Sequence, residues 1–252
     1  MGVIYEPSGK AREYCELSVN LYTGCGHGCS YCYAPACLHK SRQEFTAAKE
    51  RKLILDNIAK EAARYTGREC LLCFTCDPYQ ALDVELQTTR YAIKLLQENG
   101  VKVAILTKGG KRSERDFDIL AKNKNLSKFG ATLTFVSDKD SLKWEPDAAL
   151  PGERFDALKK AHNAGITTWA SLEPVIDPAQ SLQIIHETKD FVDIFKVGKW
   201  NHDSDASKIN WYGFAREAKE LLDDYGKTYY IKKDLAKYLD IKEPQNNNLQ
   251  PT

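Results

Sequence analysis

Two kinds of hydrophobic pattern alternate along the chain. Short apolar runs typical of strands are separated by stretches with apolar residues three and four positions apart, which is typical of helices. Leu55, Ile58, Ala59 and Ala62 show the helical spacing, and Gly67 follows as a stop. The pattern predicts strands at 17–22, 70–75, 101–107, 130–135, 166–172, 191–197 and 229–231, and helices near 46–65, 83–100, 114–122, 152–164, 178–188 and 214–225.

Six strand–helix units in a row imply a parallel sheet with helices outside it. A doubly wound sheet and a barrel both fit this order, and both place ligands at the carboxyl ends of the strands. No internal repeat or linker divides the chain, so residues 1–241 are expected to form one domain. The last stretch, 242–252 (KEPQNNNLQPT), is polar and predicts a disordered tail.

Charge and hydropathy narrow the class of protein. The chain has 252 residues and a formal net charge of +1, whereas a protein that wraps duplex DNA tightly usually carries a basic excess. No run of 18 apolar residues exists, so no membrane span is expected. The N-terminus lacks the apolar core of a signal peptide. We therefore expect a cytoplasmic protein with no membrane partner.

All eight cysteines lie in the first third of the chain, at positions 15, 25, 29, 32, 37, 70, 73 and 76. A secreted disulfide scaffold would be shorter and would spread its cysteines. Metal binding in a reducing compartment is the better interpretation. Cys70, Cys73 and Cys76 invite a second metal site, but alternation along a strand would turn Cys73 away from the other two, so packing is expected there.

The stretch YTGCGHGCSYCY (22–33) places Cys25, Cys29 and Cys32 on a glycine-rich loop after the first strand. Zinc sites usually pair their ligands as two distant knuckles, and His27 lies too close to its neighbours to complete a relaxed tetrahedron. Three thiolates suit three corners of an iron–sulfur cubane, a cluster that usually has four thiolate ligands. One iron would then stay open for chemistry. A structural zinc in an interaction protein is the alternative.

The loop GCGHGCSYCYAP resembles that of the radical S-adenosylmethionine (SAM) enzymes, and more narrowly their spore photoproduct lyase-like branch, which includes phage relatives that rearrange hypermodified thymine. The resemblance extends over about residues 16–235. It is supported by CFTCDPYQ, ILTKGGKRSERDFDIL, WEPDAALPGERFDAL and SLEPVIDP.

The resemblance implies a partial (β/α)6 TIM-like barrel with a 4Fe-4S cluster on Cys25, Cys29 and Cys32. The amino and carboxylate groups of SAM would bind the open iron. One electron, from a donor of the flavodoxin or ferredoxin type, would split SAM into methionine and a 5′-deoxyadenosyl radical. An enzyme of the lyase or isomerase type is expected.

The resemblance also implies which residues bind SAM. Tyr31 would pack near the adenine, and Lys108 would bind the carboxylate as a point charge. Thr75 and Asp77 would bind the amino group, although the chain lacks the GGE-like form common in the superfamily, and Asp77 equally suits a cap on the Pro78 turn. The remaining two residues, which would bind the ribose or the carboxylate, or else simply pack, are Thr132 and Thr134.

Three residues are candidates for catalysis. Cys76 could act as a hydrogen donor to the substrate. Glu173 and Lys196 end two neighbouring strands, where they would line a substrate mouth together with Ser171, or pair with each other. Two arginines in family-like positions, Arg115 and Arg154, are expected to form structural ion pairs.

Branch analogy favours a nucleobase in DNA as the substrate, for thymine repair or for rearrangement of a modified thymine. The basic loop 108–115 and the segment 196–202, with Trp200, are the expected DNA contacts. A small molecule or a peptide is the alternative, and the near-neutral charge tempers the DNA hypothesis.

Overall fold

The computed structural model describes residues 2–201 and 203–240, so the predicted tail at 242–252 lies outside the described residues. The strands are β1 (Ile4–Tyr5), β2 (Leu17–Val19), β3 (Tyr22–Thr23), β4 (Lys49–Glu50), β5 (Glu69–Leu72), β6 (Lys102–Thr107), β7 (Ser127–Thr132), β8 (Thr167–Leu172), β9 (Ile194–Val197) and β10 (Thr228–Ile231). The helices are α1 (Ala34–Cys37), α2 (Arg42–Thr46), α3 (Ile54–Glu61), α4 (Ala81–Leu86), α5 (Thr88–Glu98), α6 (Phe117–Lys122), α7 (Asp138–Trp144), α8 (Pro151–Asn163), α9 (Pro178–Thr188), α10 (Trp211–Asp224) and α11 (Lys233–Ala236).

Eight strands form one sheet in the order β1-β2-β5-β6-β7-β8-β9-β10. Only β1 runs antiparallel to its neighbour, and the other pairings are parallel. The predicted strand–helix units begin at β2 and at β5 to β9, so the predicted partial (β/α)6 barrel is confirmed. Strands β3 and β4 form a separate antiparallel pair in which Thr23 faces Lys49.

The two faces of the large sheet are packed differently. The outer face presents residues such as Leu72, Ile105 and Phe129 to buried side chains of the helices. On the inner face, Leu71 and Ala104 pack around Trp169. Gly130 makes room for this indole, because a Cβ there would come 2.4 Å from the ring of Trp169.

The N-terminal segment fills the interior of the barrel. After a 3-10 turn at Gly9–Glu13, the ring of Tyr14 packs edge-on against Phe74, with 5.6 Å between centroids. Lys196 Nζ donates to the backbone carbonyls of Tyr14 (2.6 Å) and Glu13 (3.2 Å). Glu13 and Tyr14 are therefore held inside the barrel by contacts with β9 and with the segment after β5.

Some predicted boundaries are wrong for a local reason. The predicted strand 70–75 ends at Leu72, since Phe74 N and Thr75 N donate to Asn20 Oδ1 (2.7 and 2.8 Å) instead of to a neighbouring strand. The predicted strand 130–135 is shifted to Ser127–Thr132. The predicted helix 46–65 begins only at Ile54, because Leu53 has φ 55° and cannot continue a helix.

Candidate active site

A cavity of about 310 Å³ lies at the carboxyl ends of the strands. Its lining includes the three cysteines of the loop, side chains at or just after the ends of β5, β6, β7 and β8, and Tyr14 from the N-terminal segment. This is where both parallel architectures are expected to bind ligands.

The cysteine loop is fixed by its backbone. Cys25 N donates to Phe45 O (2.9 Å), and Gly26 N donates to Gln80 Oε1 (2.8 Å). Gly24 has φ 89°, and a Cβ there would come 2.3 Å from Phe45 O, so only glycine fits. The positive φ expected for a loop glycine is confirmed at Gly24, where the close approach is to the backbone of Phe45.

Cys25, Cys29 and Cys32 are free, half-buried thiols at one end of the cavity. Burial raises the pKa of Cys29 to about 12 and also raises that of Cys25, so binding iron would release protons. Within residues 2–201 and 203–240, no three His, Cys, Asp or Glu side chains are grouped as ligands of one metal ion. Three thiols on one mouth-facing loop fit the donor set of an iron–sulfur cluster.

His27 is a structural residue of this loop. It is 2% exposed, its Nε2 lies 3.0 Å from Arg112 Nη2, and its Nδ1 lies 3.5 Å from Asp77 Oδ2. Arg112 can only donate, so Nε2 accepts and Nδ1 carries the proton toward Asp77. Burial lowers the pKa of His27 to about 4, which keeps it neutral.

Asp77 is already well supplied with donors. Its carboxylate accepts from Thr107 Oγ1 (2.6 Å), Lys108 N (2.7 Å) and Tyr79 N (2.8 Å). The bond to Tyr79 N closes the turn at Pro78, which was the alternative role predicted from the sequence. Asp77 and Thr75 both line the cavity, and Asp77 also fixes the end of β6 where Lys108 emerges.

Lys108 and Tyr31 lie side by side on the cavity wall. Lys108 Nζ is 5.5 Å from the centroid of the Tyr31 ring. Burial acts to lower the pKa of Lys108, but the nearby Cys29 and Glu145 outweigh it and raise that pKa. The predicted cation is therefore present, charged and beside the cysteine loop.

Behind Tyr31 lies a buried carboxylate, Glu145, that sequence reasoning missed. The Tyr31 hydroxyl donates to Glu145 Oε1, as does Thr134 Oγ1 (2.9 Å). Arg154 Nη2 lies 2.5 Å from Glu145 Oε2, and both side chains are at most 1% exposed. Thr132 lines the cavity, whereas Thr134 reaches it only through this network. Arg154 thus forms the structural ion pair that was expected.

The expected orientation of the cysteines after β5 is wrong. Alternation would have turned Cys73 away from Cys76, but the strand ends at Leu72, and both thiols line the cavity. Burial, and then the neighbouring Cys76, raise the pKa of Cys73 well above its usual range. Cys70 packs in the outer core instead. The cavity therefore holds a pair of thiols besides the three of the loop.

Glu173 lines the cavity, and its partner is Lys232. Glu173 Oε2 lies 2.5 Å from Lys232 Nζ and also accepts from the Tyr14 hydroxyl. The predicted pair of Glu173 with Lys196 is wrong, because Lys196 projects into the barrel interior, where it binds backbone carbonyls and lies 5.3 Å from the Trp169 ring centroid. Lys196 does not line the cavity.

The predicted DNA contacts are mostly used inside the protein. Arg115 Nη2 pairs with Asp83 (2.7 Å) and Asp116 (3.0 Å), as expected for a structural arginine. Arg112 donates to Tyr79 O (2.9 Å). Trp200 is 5% exposed and lines the cavity. In the loop 108–115, Arg112 and Arg115 thus bind groups of the protein itself, whereas Lys111 is exposed, so the predicted DNA contact of this loop stays a prediction.

Comparison with known proteins identifies the family. The model of the radical SAM superfamily matches residues 19–192. An uncharacterized protein of Methanocaldococcus jannaschii is 26% identical over 181 residues, covering 70% of this chain and 67% of that protein. An uncharacterized protein of Acidianus two-tailed virus is 24% identical over 203 residues, covering 74% and 65%.

Solved structures of low sequence identity share the fold. Spore photoproduct lyase complexed with dinucleoside spore photoproduct has a TM-score of 0.71 at 14% identity, covering 90% of this chain and 79% of that one. Streptococcus suis SuiB bound to S-adenosylmethionine has a TM-score of 0.62 at 14% identity, covering 85% and 49%. Among the described residues, no helix is long and apolar enough to cross a membrane.

Proposed function

Because the chain belongs to the radical SAM superfamily, and so carries a 4Fe-4S cluster and SAM, we propose that it acts on a nucleobase in DNA. The reaction would be repair of a thymine lesion or rearrangement of a modified thymine. When bound, the cluster and SAM supply a 5′-deoxyadenosyl radical by one-electron cleavage. The observation that carries the proposal is one cavity that is lined both by the three cysteines of the loop and by the polar side chains of Glu173, Lys232 and Asn201.

The residues of the cavity have separate proposed tasks. Cys25, Cys29 and Cys32 hold the cluster. Lys108 offers a cation to the SAM carboxylate, and the ring of Tyr31 offers a face to the adenine. Other contacts to SAM come from Thr75, Asp77 and Thr132, with Thr134 acting through Glu145.

Glu173 and Lys232, which both line the cavity, form an ion pair with no net charge. We propose that they exchange the bond between them for bonds to the edge of a base. Tyr14 and Asn201 complete this polar group, since the Tyr14 hydroxyl donates to Glu173 and Asn201 Nδ2 lies 3.4 Å from it. A base has both donors and acceptors on its edge, which such a pair can satisfy. A substrate in duplex DNA would have to be flipped out to reach it.

Cys76, with Cys73 beside it, is proposed to donate a hydrogen atom to the substrate radical. Its S–H bond breaks and a C–H bond forms, and the thiyl radical left on Cys76 returns to the thiol by taking one electron from the electron donor and one proton. We expect Cys76→Ala to leave SAM cleavage within about twofold of the wild type but to change the products formed from the substrate. Cys70→Ala is the matched control, since this thiol lies in the outer core. Product analysis by mass spectrometry decides, and identical products from both variants would exclude this role for Cys76.

A small-molecule substrate is the second candidate, because a cavity of about 310 Å³ lies at the small end of the range for ligand pockets. The electron donor is proposed to be of the flavodoxin or ferredoxin type.

The decisive test uses the anaerobically reconstituted holoenzyme with SAM and dithionite. The 5′-deoxyadenosine released is measured alone and with three probes: a plain thymine oligonucleotide, a dinucleoside thymine photoproduct and an oligonucleotide with a modified thymine. Acceleration by at least one probe supports the nucleobase proposal. An intact cluster that cleaves SAM equally with and without all three probes would exclude it in favour of a small molecule.

A further inference from the structure

The segment 38–53 wraps the outer side of the cysteine loop. Arg42 Nη1 donates to Cys29 O (3.0 Å), and its Nη2 donates to Ser30 O. Phe45 O accepts from Cys25 N (2.9 Å). Apart from Phe45, no residue of this segment lines the cavity. The segment therefore contacts the backbone of the cluster-binding cysteines from the side opposite to the cavity.

This segment is far more basic than the chain as a whole. It contains five lysines and arginines and two glutamates, whereas the whole chain has a net charge of +1. Both glutamates have local structural roles. Glu44 accepts from Ser41 N (2.8 Å) in a capping box, and Glu50 accepts from Thr88 Oγ1.

Two cations of the segment are exposed and without an ion-pair partner in the described structure. Lys49 and Lys52 are exposed, and neither takes part in an ion pair within residues 2–201 and 203–240. Two exposed leucines lie in the same segment, Leu38 (40%) and Leu53 (59%). Unpaired cations beside exposed apolar side chains are typical of an interface that recognises an acidic protein surface.

We propose that the segment 38–53, here called the basic face, is the docking surface for an acidic one-electron carrier protein. The inference rests on the proposed function, because the cluster must receive one electron for each SAM cleaved. The carrier loses that electron and the cluster gains it, with no bond formed or broken. A carrier on the basic face would lie against the cysteine loop. It would leave the part of the cavity lined by Glu173 and Lys232 free for the substrate.

Nucleic acid is a poorer occupant of the basic face. A base would have to enter the cavity, and none of Lys40, Arg42, Lys49 or Lys52 lines it. DNA held there would lie on the wrong side of the loop. An electron needs only to cross the loop, so the same position suits a redox partner.

The test compares two double variants of the reconstituted holoenzyme that change the net charge equally. One is Lys49→Glu with Lys52→Glu on the basic face. The control is Lys124→Glu with Lys159→Glu, two exposed lysines before β7 and on α8 that form no ion pair within the described chain. Photoreduced flavodoxin is the probe, and dithionite is the small reductant that needs no docking.

Two quantities are measured: the rate of cluster reduction, by absorbance, and the dissociation constant for flavodoxin, by calorimetry. With flavodoxin, we expect the basic-face variant to show a reduction rate about tenfold lower and a dissociation constant about tenfold higher than the wild type. The control should change each quantity by less than about twofold. Wild-type binding should weaken between about 50 and 300 mM salt. Reduction by dithionite should be unchanged in every protein.

Equal effects in the two double variants, or none in either, would overturn the proposal. A loss that extends to dithionite would also overturn it, because the substitutions would then act on the cluster itself. The dithionite arm with thymine probes tests the nucleobase proposal separately. A failure of that proposal therefore leaves the docking result readable, since SAM cleavage without substrate still consumes the electron.

Discussion

Removing the buried cation Arg154 tests how the wall behind Tyr31 is stabilised. Its guanidinium is 1% exposed and lies 2.5 Å from Glu145 Oε2. It also donates to Ala149 O (2.8 Å) and Thr132 O (3.1 Å). Arg154→Met keeps much of the apolar stem but leaves the carboxylate buried without this cation.

Breaking a buried pair by removing one partner typically costs about 3–5 kcal/mol. Here the Tyr31 and Thr134 hydroxyls still donate to Glu145, and Lys108 is near enough to lower its pKa. We therefore expect the lower end, about 3 kcal/mol of unfolding free energy. For a chain of this size that corresponds to a fall in Tm of about 6–12 °C.

The loss should depend on pH in a defined direction. Although burial acts to raise it, Arg154 and then Lys108 hold the pKa of Glu145 below its ordinary value. The wild-type pair thus contributes stability above the unfolded pKa of about 4.3 and loses it as pH falls through the folded value. In Arg154→Met the carboxyl can be protonated more easily, so the gap to the wild type should narrow below about pH 5.

The assay is urea or thermal unfolding of the reduced protein at pH 7 and at about pH 4.5. Lys160→Met is the control, since it removes a cation from the same helix. Lys160 pairs with Glu114 at 2.8 Å with 55% of its side chain exposed, so its loss should lower stability far less than the loss of Arg154. If the two variants at pH 7 differ by less than about 1 kcal/mol, the buried pair does not have the role argued here.

Two further substitutions have matched controls. Gly130→Ala places a Cβ 2.4 Å from Trp169 and should lower the unfolding free energy by about 1–3 kcal/mol. Gly152→Ala, where a Cβ would have nothing within 4 Å, should be neutral or stabilising. Equal effects of the two substitutions in a denaturant titration would contradict the packing argument. Lys108→Met should weaken SAM binding by about tenfold in anaerobic calorimetry, as expected for the loss of a charge-assisted bond. Lys111→Met, which changes an exposed lysine of the same loop, should leave SAM binding unchanged. Unchanged binding in Lys108→Met would refute the proposed role of Lys108 in binding the SAM carboxylate.

Strand and helix order could be predicted because each element has its own hydrophobic period. The ends of elements depended on distant groups and could not. Asn20 takes the two N–H groups of Phe74 and Thr75 that would have extended β5. The wrong orientation predicted for Cys73 follows directly, since alternation holds only as far as the strand does.

In the candidate site, the cysteine loop could be predicted because its ligands are neighbours in sequence. Partners from distant segments could not. Lys232, rather than Lys196, pairs with Glu173, and nothing in the local sequence around Lys232 signals this. Glu145 and Arg154 both occur in the stretch WEPDAALPGERFDAL, so their spacing of nine residues was visible, but only the bend between α7 and α8 brings them together.

The carboxylates nearest to Lys108 and at Glu173 are already matched by partners other than Lys108. Glu173 is matched by Lys232, and Glu145 by Arg154 behind the wall. Asp77 is held by three donors and faces His27, which is neutral because burial lowers its pKa to about 4. The ammonium of Lys108 has no carboxylate within ion-pair distance in the described structure. A buried cation of this kind is stabilised by an anion, so the part of the cavity beside Lys108 favours a carboxylate.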